Sequence, residues 1–65
     1  MRLLKKELIG KDTEILLVET AEMYTVSLCT LNLSAVYSNQ LYCNFDDYRQ
    51  ARNFFDILCL LKEQE

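Results

Sequence analysis

Hydrophobic and polar positions alternate along much of the chain before residue 46, which is typical of strands with one covered face. The clearest alternation is MYTVSLC, where Tyr24, Val26 and Leu28 share one face. The polar Thr25 and Ser27 share the other face with Met23 and Cys29. This period of two predicts a half-buried strand over residues 23–29.

The preceding segment, EILLVET, is apolar on both faces, because Leu16 and Val18 alternate with Ile15 and Leu17. Both faces of this strand are therefore expected to be at least partly covered, which suggests a central strand of the sheet. Thr20 to Glu22 then form a short connection.

Residues 2–9, RLLKKELI, fit a short helix or a first strand by their period. The turn cluster GKDT follows them, and Gly10 can adopt positive φ without a steric penalty. A turn leading into a strand favours the strand interpretation of residues 2–9.

The alternation changes phase after Leu28, which predicts a turn or bulge near residues 30–32. The following LSAVYSNQLYCNF resembles two short strands joined at Ser38 and Asn39. Asparagine tolerates left-handed φ, so a tight turn is expected there.

A helix is predicted over about residues 47–62. Asp47 is a suitable N-cap, and Gln50 three residues later resembles the second half of a capping box. Lys62 lies in the last turn, where a cation is favourable. The predicted fold class is therefore α+β: an antiparallel meander of four or five strands (about 2–45) packed by one C-terminal helix. One domain is expected to span residues 1–65, as a complete small reading frame.

The predicted helix carries more apolar surface than one contact needs. Its apolar arc covers roughly 200°, against roughly 100° for a single core-facing stripe. The stripe consists of Tyr48, Ala51, Phe55 and Leu58. The surplus consists of Phe54, Ile57, Leu60 and Leu61. Either the sheet curls around this arc, or a second protein covers the surplus, and exposed apolar patches usually mark interfaces.

Four tyrosines can place their rings at the edge of the core and their hydroxyl groups in water, or they can contact a partner. Tyr37 and Tyr42 flank the predicted tight turn, where exposure is expected. They are the candidate interface residues outside the helix.

A domain of 65 residues buries a modest core and usually needs a disulfide, a metal or a partner. The chain has an odd number of cysteines, namely Cys29, Cys43 and Cys59. Residues 1–9 are too charged for a signal peptide. We therefore expect reduced, mostly buried thiols in a cytoplasmic protein. The absence of histidine and of paired cysteine spacing argues against zinc.

The net charge of −3 and the scattered cations disfavour nucleic-acid binding, although a local basic patch is compatible with it. No apolar run approaches the roughly 20 residues that cross a bilayer. Without histidine, and with one glycine, the chain lacks the usual general base and phosphate loops. Asp46 and Asp47 are better explained as caps than as a catalytic pair. No enzymatic activity, metal or cofactor is expected.

These observations favour a small non-catalytic interaction protein, expected to form a homodimer and to dock on or inhibit a larger protein. Compact acidic chains of this kind are common among phage and mobile-element accessory proteins. One alternative is a nucleic-acid-binding module in which Tyr24, Tyr37 or Tyr42 stacks on bases and Arg2, Lys5 and Lys6 contact phosphates. Another alternative is a structural subunit of a larger assembly.

Overall fold

The computed structural model describes the backbone of residues 1–31 and 37–64, and the side chains of residues 1–30 and 41–64. Its elements are β1 (Arg2–Ile9), β2 (Thr13–Thr20), β3 (Met23–Leu31), β4 (Tyr37–Phe45) and α1 (Tyr48–Glu63). The four strands form one antiparallel sheet in the order β1-β2-β3-β4, and α1 packs on one face. The predicted α+β meander with a C-terminal helix is confirmed.

The N-terminal segment is a strand, as the turn after it indicated. Gly10 has a φ of +67°, a conformation that glycine adopts without strain. The pairing of β1 with β2 passes from Leu3–Val18 to Lys5–Leu17, so Leu4 is an extra residue in a bulge. This bulge lets both Leu4 and Lys5 reach the side of the sheet that α1 covers.

Strands β2 and β3 form the centre of the sheet, and the side chains of β3 alternate between its two faces as predicted. The prediction that β3 is half-buried is wrong, because Thr25 and Ser27 on the second face are also buried, at 5% and 8% exposure. Ile15 pairs with Leu28 and Leu17 with Val26, which places these four side chains under the helix. The residues between them point to the opposite face, which α1 leaves open. We call this second surface the open face.

Strand β4 runs without interruption from Tyr37 to Phe45, so the predicted tight turn at Ser38 and Asn39 is wrong. These two residues pair with Thr30 and Cys29 of β3, and this ladder of main-chain hydrogen bonds overrides their turn propensity. The register between β3 and β4 shifts between Leu28 and Cys29, where Gln40 of β4 is the extra residue, whereas β3 itself continues to Leu31 without the turn or bulge expected at Thr30 and Leu31. The connection over residues 32–36, where a fifth strand would begin, lies outside the described residues.

The helix starts and ends close to its predicted limits. The Asp47 side chain accepts a hydrogen bond from the backbone N–H of Arg49 at 2.9 Å, as an N-cap does. Lys62 lies in the last turn, and the backbone N–H of Gln64 donates to the carbonyl of Lys62.

The core lies between α1 and the two central strands. In the described part of the chain its buried hydrophobic side chains are Ile15, Leu17, Val26, Leu28, Ala51 and Phe55. Phe55 is the largest of them and is almost completely enclosed. One helix cannot cover four strands, so side chains on the outer strands remain half-buried.

Candidate interaction surfaces

The two flanks of α1 differ in chemistry. The flank toward β1 is polar: Lys5 Nζ lies 3.9 Å from Asp56 Oδ1 and 5.3 Å from the centre of the Phe55 ring. Arg52 Nε lies 3.4 Å from the other Asp56 oxygen. The flank toward β4 is apolar, because the rings of Phe54 and Phe45 pack with their centres 5.4 Å apart.

Three of the candidate interface residues form an exposed apolar strip on α1. Ile57, Leu60 and Leu61 are each 56% exposed, and we call them the apolar helix edge. At about 100° per residue, Leu61 lies about 20° and Ile57 about 60° from Phe54 around the helix axis. Leu60 lies about 120° from Phe54, nearer to Asp56. The edge therefore extends from the β4 flank across the outer side of the helix.

Phe54, the remaining member of the surplus apolar residues of the helix, lies at the rim of the core. Its side chain is half-buried against Phe45. The remaining exposed part of Phe54 continues the apolar helix edge toward β4. A curled sheet does not cover this edge: the three outer side chains project into solvent.

The tyrosines lie on different faces of the sheet. Tyr24 and Tyr48 pack edge-to-face under and beside the helix, with ring centres 5.5 Å apart. Tyr42 lies on the open face and is 61% exposed. Tyr37 begins β4 and pairs with Leu31, and its side chain lies outside the described residues.

The open face has a shallow groove of about 190 Å³. Its lining is mostly apolar and consists of Met1, Leu16, Val18, Thr20, Thr25, Ser27 and Tyr42. Small-molecule sites usually measure about 300–1,000 Å³, so this groove is too small to be a typical ligand pocket. The Thr25 hydroxyl donates to Asn44 Oδ1 at 2.7 Å beside it, and Lys6 pairs with Glu14 at 3.4 Å.

Sequence reasoning missed the groove. The alternation of Leu16 and Val18 with Ile15 and Leu17 predicts a central strand with both faces at least partly covered, and the half-buried Leu16 and Val18 agree with this prediction, but it gives no sign of a groove. In the structure the second side is half-buried by neighbouring side chains of the sheet itself. Leu3 and Leu8 share that face and are 53% and 61% exposed.

The three cysteines form no disulfide. Burial raises the pKa of the Cys59 thiol, and the nearby carboxylates of Glu7, Glu63 and Asp56 raise it further. A thiol in such surroundings stays protonated and reacts slowly. In residues 1–31 and 37–64, no cluster of three or more histidine, cysteine or acidic side chains is arranged to hold a metal ion.

Comparison with protein-family models, curated proteins and solved structures finds no match to this chain. Within the described residues, no helix combines the length and apolarity needed to cross a membrane. The surfaces themselves are therefore the basis for inferring function.

Proposed function

We propose that this protein is a non-catalytic protein-interaction module that forms a homodimer and acts by docking on a larger protein. The observation that carries the proposal is the apolar helix edge, in which three large aliphatic side chains are each 56% exposed on one helix. Contiguous apolar surface of this kind is characteristic of protein interfaces. Phage and mobile-element accessory proteins that inhibit a host enzyme are the class we propose for it.

Burial of the apolar helix edge against a second copy would stabilise the dimer. Completing the burial of a half-exposed leucine or isoleucine stabilises an association by about 1 kcal/mol. Ile57 and Leu61, which lie closer to the β4 flank than Leu60 does, contribute about 4 kcal/mol to a symmetric dimer, before the entropic cost of association. The described core has few large side chains, so this additional burial is a substantial gain for a chain of 65 residues.

The nucleic-acid alternative receives less support from the geometry. Stacking platforms need aromatic rings on one surface, whereas Tyr24 and Tyr42 lie on opposite faces of the sheet. The cations proposed to contact phosphates are also engaged, since Arg2 pairs with Glu19 at 3.0 Å and Lys6 with Glu14 at 3.4 Å. A subunit of a larger assembly would use the same apolar edge.

The test is the mass in solution, measured by size-exclusion chromatography with light scattering. At about 10 µM we expect a dimer for the native chain and a monomer for Ile57→Asp, because a buried charge costs several kcal/mol. Ala21→Asp is the matched control: it adds the same charge at an exposed position in the turn between β2 and β3, outside α1, and should remain dimeric. A monomeric native chain, with Ile57→Asp unchanged in mass and stability, contradicts the proposal.

A further inference from the structure

We infer that the homodimer forms by antiparallel pairing of β4 with β4 of a second copy, which joins two sheets into one of eight strands. This inference rests on the proposed homodimer and specifies its contact surface. Three observations carry it: the chemistry of the two edge strands, the self-complementary face of β4, and the flank of α1 on which the apolar side chains lie.

The two edge strands of the sheet differ in how they are protected. Unpaired edges invite other strands, and proteins usually block them with charges, prolines or bulges. Strand β1 has such protection: it contains Arg2, Lys5, Lys6 and Glu7 and a bulge at Leu4. Strand β4, YSNQLYCNF, has a bulge at Gln40 but contains neither a charged residue nor a proline, and its stretch from Leu41 to Phe45 is regular. Pairing of β1 with a second strand would also require these charged side chains to be brought close to the partner, whereas β4 carries no charge.

The described residues give β4 one hydrogen-bonded neighbour, β3, so alternate N–H and C=O groups of β4 point away from the sheet. The pairing of β4 with β3 skips Gln40, which leaves Leu41 to Phe45 as the regular stretch. The middle of this stretch is Cys43. A two-fold axis close to Cys43 therefore uses the whole regular stretch in both copies.

This register is self-complementary. On the helix side, Leu41 lies opposite Phe45 of the second copy, and the two Cys43 side chains face each other. On the open face, Tyr42 lies opposite Asn44 of the second copy. Each pair matches apolar with apolar, or aromatic with an uncharged polar group, and such cross-strand pairs stabilise sheets. Leu41, Cys43 and Phe45 are all half-buried in the single chain, so they have surface left to bury.

The orientation of α1 also favours β4 as the strand that pairs with the second copy. The two-fold axis places both helices on one face of the joined sheet, with their β4 flanks toward each other. Phe54 lies on that flank, because it packs on Phe45, and Leu61 lies about 20° from Phe54 around the helix axis, two turns further along the helix. Lys5 and Asp56 mark the opposite flank, which remains in solvent with its charges. Phe54 therefore borders the junction, whereas Lys5 and Asp56 lie away from it.

The first test uses the native chain and compares backbone amide exchange above and below the dimer dissociation constant. We expect the amides of residues 41–45 whose N–H groups point outward to slow by about tenfold or more in the dimer, because they become hydrogen-bonded. The amides of β1 are the internal control and should keep their rates. Slowing of β1 amides, or of neither edge, in a dimeric sample overturns the inference and leaves the proposed homodimer intact. A monomer at every concentration contradicts both.

The second test uses neighbouring leucines with equal exposure. Leu61→Asp, on the β4 flank, should weaken the dimer by about tenfold or more, whereas Leu60→Asp, about 100° away, should change it by less than about threefold. Sedimentation velocity gives both dissociation constants, and circular dichroism verifies folding. Equal effects, or a larger effect of Leu60→Asp, overturn the inference and indicate the outer side of the helix. If Leu61→Asp fails to fold, Leu61→Ser and Leu60→Ser replace the pair.

Discussion

Cys59 shows at the residue scale how position controls chemistry. It lies half-buried in α1, and Glu7, Asp56 and Glu63 add negative potential around its sulfur. Lys5 opposes this effect as the smallest of these contributions. Burial and the carboxylates both disfavour the thiolate, so the neutral thiol is the form that the folded chain stabilises.

We therefore expect Cys59 to be alkylated more slowly in the folded chain than in urea at about pH 8, a pH close to the ordinary thiol pKa. A variant with Cys29→Ser and Cys43→Ser isolates this thiol, and mass spectrometry follows the reaction with iodoacetamide. The pH dependence of the rate should shift upward on folding. Stability linked to this group is present below the unfolded pKa and is lost as the pH rises through the folded pKa. Identical pH profiles in both states would refute the expectation.

At the scale of elements, α1 depends on its first turn for more than local order. Its N-cap Asp47 follows β4 after a single intervening residue, so the cap also determines where the chain leaves the sheet. The helix then directs Phe55 into the core and Phe54 toward Phe45. Loss of the cap should loosen the junction between β4 and α1.

Asp47→Ala is expected to lower the free energy of unfolding by about 1 kcal/mol, because the N–H of Arg49 loses its acceptor. Urea denaturation at a constant protein concentration measures the change. Asp47→Asn retains a side-chain acceptor and should cost less than half as much. If both variants lose the same stability, the charge near the helix terminus, and not the hydrogen bond, is the main contribution.

At the scale of the whole molecule, one helix covers one face of four strands, and three surfaces among the described residues are candidates for contact with a partner. These are the apolar helix edge, the uncharged edge of β4 and the groove of the open face. The first two adjoin on one side of the molecule. The groove lies on the opposite face, so the proposed dimer would leave it available to the proposed larger partner.

If folding and dimerisation are linked, the melting temperature should rise with protein concentration. For two chains of 65 residues, a tenfold increase raises it by about 5 °C. Differential scanning calorimetry from about 5 to 500 µM covers this effect. Ile57→Asp is the control and should melt at one temperature over the whole range. A native melting temperature that is independent of concentration would show that the monomer carries the stability alone.

Local features of this chain could be predicted from its sequence. The alternation in MYTVSLC, the turn at Gly10 and the cap at Asp47 depend on residues within a few positions of one another. Each of them appears in the structure as expected. The surplus apolar residues of α1 were also evident from their spacing, since a helix has one period whatever it packs against.

Other features were decided by tertiary structure. Ser38 and Asn39 have turn propensity, but pairing with β3 holds them in a strand, and the bulges that skip Leu4 and Gln40 arise from the register between strands. The exposure of Ile57, Leu60 and Leu61 likewise depends on how far one helix extends across four strands. The physical reason is the distance along the chain over which each effect acts. Turn propensity and the hydrophobic period depend on residues close together in the sequence. The register between strands and the coverage of the sheet by the helix depend on residues far apart in it.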